Sequence, residues 1–171
     1  MATKQINPTR MELTRLKKKL ATAVRGHKLL KDKRDELMRQ FLDMVRENKR
    51  LREKVEADIR AASQNFVMAR ATMSDEELNT ALLVPTQEAT LKVETRNVMS
   101  VDIPVLHVQT RTANPEDIYS YGFAFTSGDL DDAVKSIADI LPDMLRLAEI
   151  EKSCQLIAAE IEKTRRRVRS E

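Results

Sequence analysis

The sequence predicts a mainly α protein: a long antiparallel two-helix coiled coil with a small β-hairpin and loop insert between the helices. Two long segments carry apolar residues at alternating spacings of three and four, and the stretch between them is rich in β-branched residues and turn formers. The composition agrees, because 33% of the residues are charged, 4% are aromatic and only three are glycine. Such values favour helices that pack along narrow seams over a compact sheet enzyme.

The first helix is predicted within residues 1–73. Asn7 can cap free backbone N–H groups, and Pro8 suits a first helical position. Only Gly26 interrupts residues 9–73, so a helix of about 65 residues would be roughly 95 Å long.

A heptad repeat runs along this helix when Leu13 is assigned to position a. Twelve of the seventeen a and d positions up to residue 69 are apolar. Beyond Val55 the stripe is predicted to shift by one residue to Ile59, Phe66 and Met73, as a stutter would shift it. The predicted coiled-coil seam of this helix consists of Leu13, Leu16, Leu20, Leu30, Leu37, Phe41, Met44, Leu51 and Val55.

Two polar residues, His27 and Arg34, also fall at a positions. Polar a residues fix register and pairing at some cost in stability. A proton-relay role for His27 is the alternative, and it would need a carboxylate partner that the sequence does not place.

Residues 74–128 are predicted to form an insert with a short helix, a β-hairpin and a loop. Ser74 to Glu77 can cap a short helix that Pro85 stops. Alternating residues around Leu91 to Thr95 and a second extended run from Val98 to Val108 predict paired strands with Asn97 near the turn. Pro104 confines its strand to an edge because proline cannot donate a ladder hydrogen bond.

The second helix is predicted over residues 129–171, after a Ser127-Gly128-Asp129 cap. Its apolar stripe begins with Leu130, Val134, Ile137, Leu141 and Met144. Pro142 is expected to bend or divide the helix. The predicted seam continues through Leu147, Ile150, Cys154, Ile157 and Ile161.

Signatures of catalysis and cofactor binding are missing from the sequence. The isolated glycines form no phosphate-binding loop, and Cys154, His27 and His107 lack metal-ligand spacing. We therefore expect no active site, no cofactor and no metal. A single cysteine, no apolar N-terminal segment and no membrane-spanning stretch indicate a cytosolic chain.

Charge is divided unevenly, with a net +9 over residues 1–60, −9 over residues 61–161 and +3 over residues 162–171. The basic runs Lys17, Lys18, Lys19 and Arg165, Arg166, Arg167 are candidate partner contacts. They could contact a charged protein surface or phosphates, although no aromatic residue is interleaved with them. A coiled-coil adaptor and a nucleic-acid-binding protein are therefore alternatives on composition alone.

The residues also resemble a known family, the D subunits of V/A-type (vacuolar/archaeal-type) rotary ATPases. The resemblance rests on Asn7-Pro8-Thr9-Arg10, on Leu16-Lys17-Lys18-Lys19-Leu20 and on the stretch from Arg25-Gly26-His27 to Leu37. The second helix agrees through Glu160 to Val168, and Asn97 to Val101 is similar to bacterial members.

The resemblance implies a non-catalytic central shaft that transmits torque and couples ATP hydrolysis or synthesis to proton or sodium transport. Its implied partners are the small central-stalk F protein, the catalytic A and regulatory B subunits of the hexamer, and a membrane-side socket protein that links to the rotor ring. It also implies a cytoplasmic location, peripheral to the membrane. Family members usually continue beyond the triple arginine with several tens of helical residues, so we expect unpaired seam at the start of the first helix.

Overall fold

The computed structural model describes residues 8–122, 124 and 126–170. In sequence order, two long helices flank a short helix and a two-stranded antiparallel hairpin, which confirms the predicted fold class. The elements are α1 (Arg10–Thr72), α2 (Asp75–Ala81), β1 (Ala89–Val98), β2 (Val101–Thr110), a 3-10 helix (Pro115–Ile118) and α3 (Gly128–Ser170). In the described part of the chain, no helix is sufficiently long and apolar to cross a bilayer.

Helix α1 begins at Arg10, and Thr9 caps it. The Glu12 backbone N–H donates to Thr9 Oγ1 at 3.3 Å, which satisfies one of the donors that a helix start leaves free. The predicted cap residue Asn7 lies outside the described residues. The helix continues through Gly26 without interruption.

The buried stripe of α1 keeps one heptad register beyond Val55. Ala62 and Ala69, which follow Val55 at successive a positions, are only 2% and 0% exposed. The predicted shift was wrong at Ile59, which is 41% exposed, whereas Phe66 and Met73 are half-buried and pack against a buried cluster. Small side chains at the a positions let another element approach the backbone closely, so the stripe need not follow the largest residues.

Helix α2 starts with a capping box. The Glu77 N–H donates to Ser74 Oγ at 3.3 Å, and the Ser74 N–H donates back to Glu77 Oε2 at 3.0 Å. The bonds that Ser74 donates hold the pKa of the Glu77 carboxyl below its usual range. The helix ends at Ala81, before the predicted stop at Pro85.

Strands β1 and β2 form a hairpin in which Ala89 pairs with Thr110 and Val98 with Val101. Met99 and Ser100 connect the strands with φ values of 50° and 70°. Two positive φ values are typical of the type I′ turn, whose twist matches that of paired strands. Asn97 precedes the turn as predicted, and Pro104 lies in a strand of this two-stranded sheet.

Helix α3 runs from Gly128 through Pro142 without a break, so of the two outcomes expected at this proline, a bend or a division, division does not occur. The Pro142 side chain is exposed. A proline on the outer face of a helix leaves one carbonyl without its usual donor where water can replace that donor.

The predicted apolar stripe in the first half of α3 was confirmed at its start, where Leu130 is buried and Val134 packs against a buried cluster, and was wrong further along. Ile137, Leu141 and Met144 are 56%, 38% and 44% exposed, whereas Ala133 and Ile140 are buried. When Leu147 is assigned to position a of α3, counting in sevens places Ala133, Ile140 and Cys154 at a positions as well. The heptad register, rather than the bulk of the side chains, therefore selects the buried face of α3.

The chain divides into two compact units, one formed by residues 1–42 with 157–171 and the other by residues 43–156. In the second unit, Val55, Ala62 and Ile140 form a buried cluster against which Leu147 packs. A further cluster joins α1, α2 and α3 in that unit: Ala69, Leu78, Ala81 and Leu130, with Phe66, Met73, Tyr121 and Val134 packed against it.

Candidate partner-binding surfaces

The paired helices of the unit formed by residues 43–156 are joined by ion pairs beside the buried seam. Lys54 Nζ lies 2.6 Å from Asp143 Oδ2, and Arg52 pairs with Glu151. Asp143 holds the pKa of Lys54 above its usual range. Since Ala69 of α1 clusters with Leu130 of α3, positions later in α1 meet positions earlier in α3, and the pairing is antiparallel.

The seam residues that the sequence predicted in this unit differ in burial. Leu51, Val55 and Ile150 are buried. Met44, Leu147 and Cys154 are half-buried.

The Cys154 thiol lies at an a position of α3. Burial raises its pKa, and the nearby carboxylates of Glu151 and Glu47 raise it further. A thiol that resists ionisation is a poor nucleophile and suits packing. Within the described residues, no group of three or more His, Cys, Asp or Glu could hold a metal ion.

The unit formed by residues 1–42 and 157–171 has its own buried contact between α1 and α3. Leu37 and Ile157 are fully buried, and Ile161 is 8% exposed. Lys33 Nζ lies 3.1 Å from Glu160 Oε1 at the edge of this contact. Burial would raise the pKa of Glu160, but the hydrogen bond and charge of Lys33, together with the charges of Lys163 and Arg167, outweigh burial and lower that pKa.

The remaining predicted seam residues of this unit are not buried to the same extent. Leu30 and Phe41 are half-buried. Leu13, Leu16 and Leu20, nearer the start of α1, are 53%, 38% and 65% exposed. The structure therefore brings Leu37, Ile157 and Ile161 together and leaves the first three leucines of the predicted seam open to solvent.

Basic side chains cover the surface of the same unit. Lys17, Lys18 and Lys19 on α1 are exposed. Arg165, Arg166 and Arg167 on α3 are exposed as well, and Arg166 pairs with Glu162 one turn earlier. By sequence, residues 1–42 and 157–171 hold 17 Lys and Arg against 7 Asp and Glu. This net charge of +10 by sequence favours an acidic partner.

An apolar groove lies between α1 and α3 in the unit formed by residues 43–156. It has a volume of about 490 Å³, and its lining includes Phe66, Val67, Ile137 and Met144. Val67 and Ile137 are 64% and 56% exposed. An exposed run of apolar side chains of this kind is typical of a protein-binding surface.

The hairpin contacts α3 through Glu149, a carboxylate for which the sequence predicted no contact. The Leu106 backbone N–H donates to Glu149 Oε2 at 3.1 Å. Glu149 Oε1 accepts a hydrogen bond from Arg146 at 2.7 Å, and Arg146 also lies 3.4 Å from Glu47 on α1. On a helix with many charged residues, the sequence does not distinguish this glutamate from a solvent-exposed one, because its contact depends on where the hairpin lies.

Comparison with known proteins finds relatives over nearly the whole chain. The family model that describes the D subunit of ATP synthase matches residues 12–170. The V-type ATP synthase D subunit of Acetivibrio thermocellus is 61% identical over 168 residues, which cover 98% of this chain and 76% of the relative.

Two further relatives carry the same name. The protein of Clostridioides difficile is 61% identical, with 98% of this chain and 75% of the relative covered. The protein of Thermoanaerobacter pseudethanolicus is 53% identical, with 95% and 77% covered. By its sequence, and with two long helices around a hairpin, the chain belongs to the family of ATP synthase D subunits, among the V-type members.

Proposed function

We propose that this chain is the central-stalk rotor component of a V/A-type rotary ATPase. In this role it transmits torque between the catalytic hexamer and the ion-transporting part of the complex in the membrane, and it catalyses no reaction itself. The observation that carries the proposal is the antiparallel pairing of α1 with α3 in a member of the D-subunit family. It would be cytoplasmic and attached to the membrane through the complex.

Two paired helices suit torque transmission better than one. A single helix twists and bends easily, whereas helices joined by a buried seam must shear that seam to deform. Lys54–Asp143 and Arg52–Glu151 add polar links beside the seam. The pairing therefore supports a mechanical role for the helices.

The basic surface supports contact with the catalytic A and regulatory B subunits. Exposed Lys17, Lys18 and Lys19 can form ion pairs that break and re-form in solvent at low cost, because exposed pairs contribute about 0–1 kcal/mol each. A rotating contact needs such weak, replaceable interactions more than a large apolar patch that would hold one orientation.

The apolar groove around Phe66, Val67, Ile137 and Met144 is the candidate contact for the small stalk F protein. A stalk protein that turns together with the shaft needs a permanent contact, which apolar burial provides. A membrane-side socket protein would complete the connection to the rotor ring.

The direct test is co-expression with the small stalk F protein, followed by size-exclusion chromatography. We expect a one-to-one complex that also binds the A and B hexamer. Val67→Glu and Ile137→Glu should abolish the one-to-one complex, because each buries a charge in an apolar contact. Glu53→Lys, an exposed charge change on α1, is the matched control. Failure of the unmodified chain to bind the F protein would contradict the proposal.

The basic residues are tested separately by charge reversal. Lys17→Glu, Lys18→Glu and Lys19→Glu together should weaken hexamer binding at least tenfold and reduce its dependence on salt. Lys49→Glu is the control on the same helix. Salt-sensitive retention on DNA, without binding to the F protein or the hexamer, would instead support a nucleic-acid-binding function.

A further inference from the structure

The hairpin maintains its own structure. Ten cross-strand pairs connect β1 and β2. At the turn, Asn97 Nδ2 donates to Asp102 Oδ1 at 2.6 Å, and the Ser100 N–H donates to Asn97 Oδ1 at 3.1 Å. These bonds join the two strands at the turn. These cross-strand contacts and the two-residue turn set the strand register.

The apolar attachment of the hairpin is confined to one end of β2. Val101 and Ile103, next to the turn, are buried, Pro104, Val105 and Leu106 are half-buried, and His107 to Thr110 are exposed. Strand β1 is exposed from Ala89 to Asn97. Where this apolar attachment ends, at Leu106, a polar contact to α3 is added to it.

The Leu106 N–H is directed away from β1. Val98 and Val101 close the two-residue turn as a hydrogen-bonded pair, and bonded and non-bonded pairs alternate along an antiparallel ladder. Leu106, paired with Val93, falls on a non-bonded position. Its N–H is therefore available to Glu149 without the loss of a ladder bond.

Glu149 is held in place for this contact. Its side chain is 14% exposed, and Arg146 donates to Oε1 while Oε2 accepts the Leu106 N–H. Arg146 in turn reaches Glu47 of α1. The carboxylate is thus oriented by α3 and α1 together and presents one oxygen to the hairpin.

We propose that Glu149 is a latch that fixes the hairpin against α3, and that breaking its bond to Leu106 releases the hairpin as an intact unit. A charged acceptor holds a backbone N–H more strongly than a neutral one does, yet water or a competing donor can replace the N–H. Because the ladder does not use the Leu106 N–H, release leaves β1 paired with β2. The hairpin therefore has a docked position and a released position.

Amide hydrogen exchange on the full chain tests the latch. Glu149→Ala should raise the exchange rate of the Leu106 amide at least tenfold. The ladder amides of Val105 and His107 should change less than threefold, because the strands stay paired. Glu149→Gln, which keeps a neutral acceptor oxygen, should give an intermediate rate at Leu106.

Glu151→Ala is the matched control, since it removes a carboxylate from the same helix that pairs with Arg52 and not with the hairpin. It should leave Leu106 exchange unchanged. An unchanged Leu106 rate in Glu149→Ala would overturn the latch. Equal acceleration of Val105 and His107 would also overturn it, because the hairpin would then unfold rather than be released.

Discussion

The contribution of an apolar residue to the stability of this chain depends on whether another element covers its side chain. Leu37 and Leu13 occupy comparable seam positions of one heptad repeat, but Leu37 is fully buried and Leu13 is 53% exposed. Full burial of such a side chain contributes about 1.5–3 kcal/mol relative to exposure. Both residues belong to the heptad repeat. The repeat does not predict how much each contributes to stability, because that contribution depends on whether α3 covers the position.

Truncation of Ile157 tests this difference. Ile157→Ala should reduce the free energy of unfolding by about 2–5 kcal/mol, because it leaves a cavity in a fully buried contact. Leu13→Ala should change it by less than about 0.5 kcal/mol. Urea denaturation followed by circular dichroism measures both, and equal losses would contradict the assignment.

The ion pair between Lys33 and Glu160 predicts a pH dependence. The folded-state pKa of Glu160 lies below its ordinary value of 4.5, so the pair stabilises the fold above that pH and loses its effect as the pH falls through the folded pKa. Lys33→Met should therefore be less stable than the original chain at pH 7 by about 1 kcal/mol. The difference in the free energy of unfolding between the variant and the original chain should narrow below pH 4.5. Urea denaturation from about pH 7 to about pH 3 measures this difference. A difference that stays constant would contradict a contribution from the ionised Glu160 carboxylate.

The sequence predicts the positions of helices and strands well, because caps, turn residues and apolar spacing are local signals. The predicted uninterrupted span 9–73 becomes Arg10–Thr72, and the capping box at Ser74 starts α2 as expected. The errors concern which face is buried. Ala69 is buried while Ile59 is exposed, and the size of a side chain alone does not reveal how closely another helix approaches.

Substitutions in α1 distinguish the observed stripe from the shifted one. Ala69→Leu should destabilise the fold by about 1–3 kcal/mol, because a leucine does not fit where the alanine is fully buried. Ile59→Ala should cost less than Ala69→Leu, since its side chain is 41% exposed. Thermal unfolding of the two variants gives the ranking, and the reverse order would restore the shifted stripe.

The hairpin turn contains strain that one substitution can relieve. Ser100 has a φ of 70°, a conformation that costs a residue with a Cβ about 1–2 kcal/mol and costs glycine little. Ser100→Gly should therefore stabilise the hairpin by about 0.5–1 kcal/mol and slow amide exchange in β1 and β2. Thr90→Gly, in extended backbone, should speed that exchange, and the same direction of change in both variants would contradict the assignment of strain.

Net charge differs between the two compact units. Residues 1–42 and 157–171 carry a net +10, whereas residues 43–156 carry −7. Each unit has a buried contact between α1 and α3, and each carries surfaces suited to partner proteins. The family and the basic runs are visible in the sequence. The apolar groove is not, because Val67 and Ile137 become neighbours only when the helices pair.

If this chain turns inside the catalytic hexamer, as we propose, single-molecule measurement of rotation will show it. A complex of the hexamer, the small stalk F protein and this chain is anchored to a surface through the A subunits. A bead is attached to this chain through a cysteine introduced by Lys92→Cys in a Cys154→Ser background. Lys92 is 62% exposed and lies in the hairpin. ATP should drive rotation of the bead in one direction. A complex that contains this chain and hydrolyses ATP while the bead stays still would contradict the account.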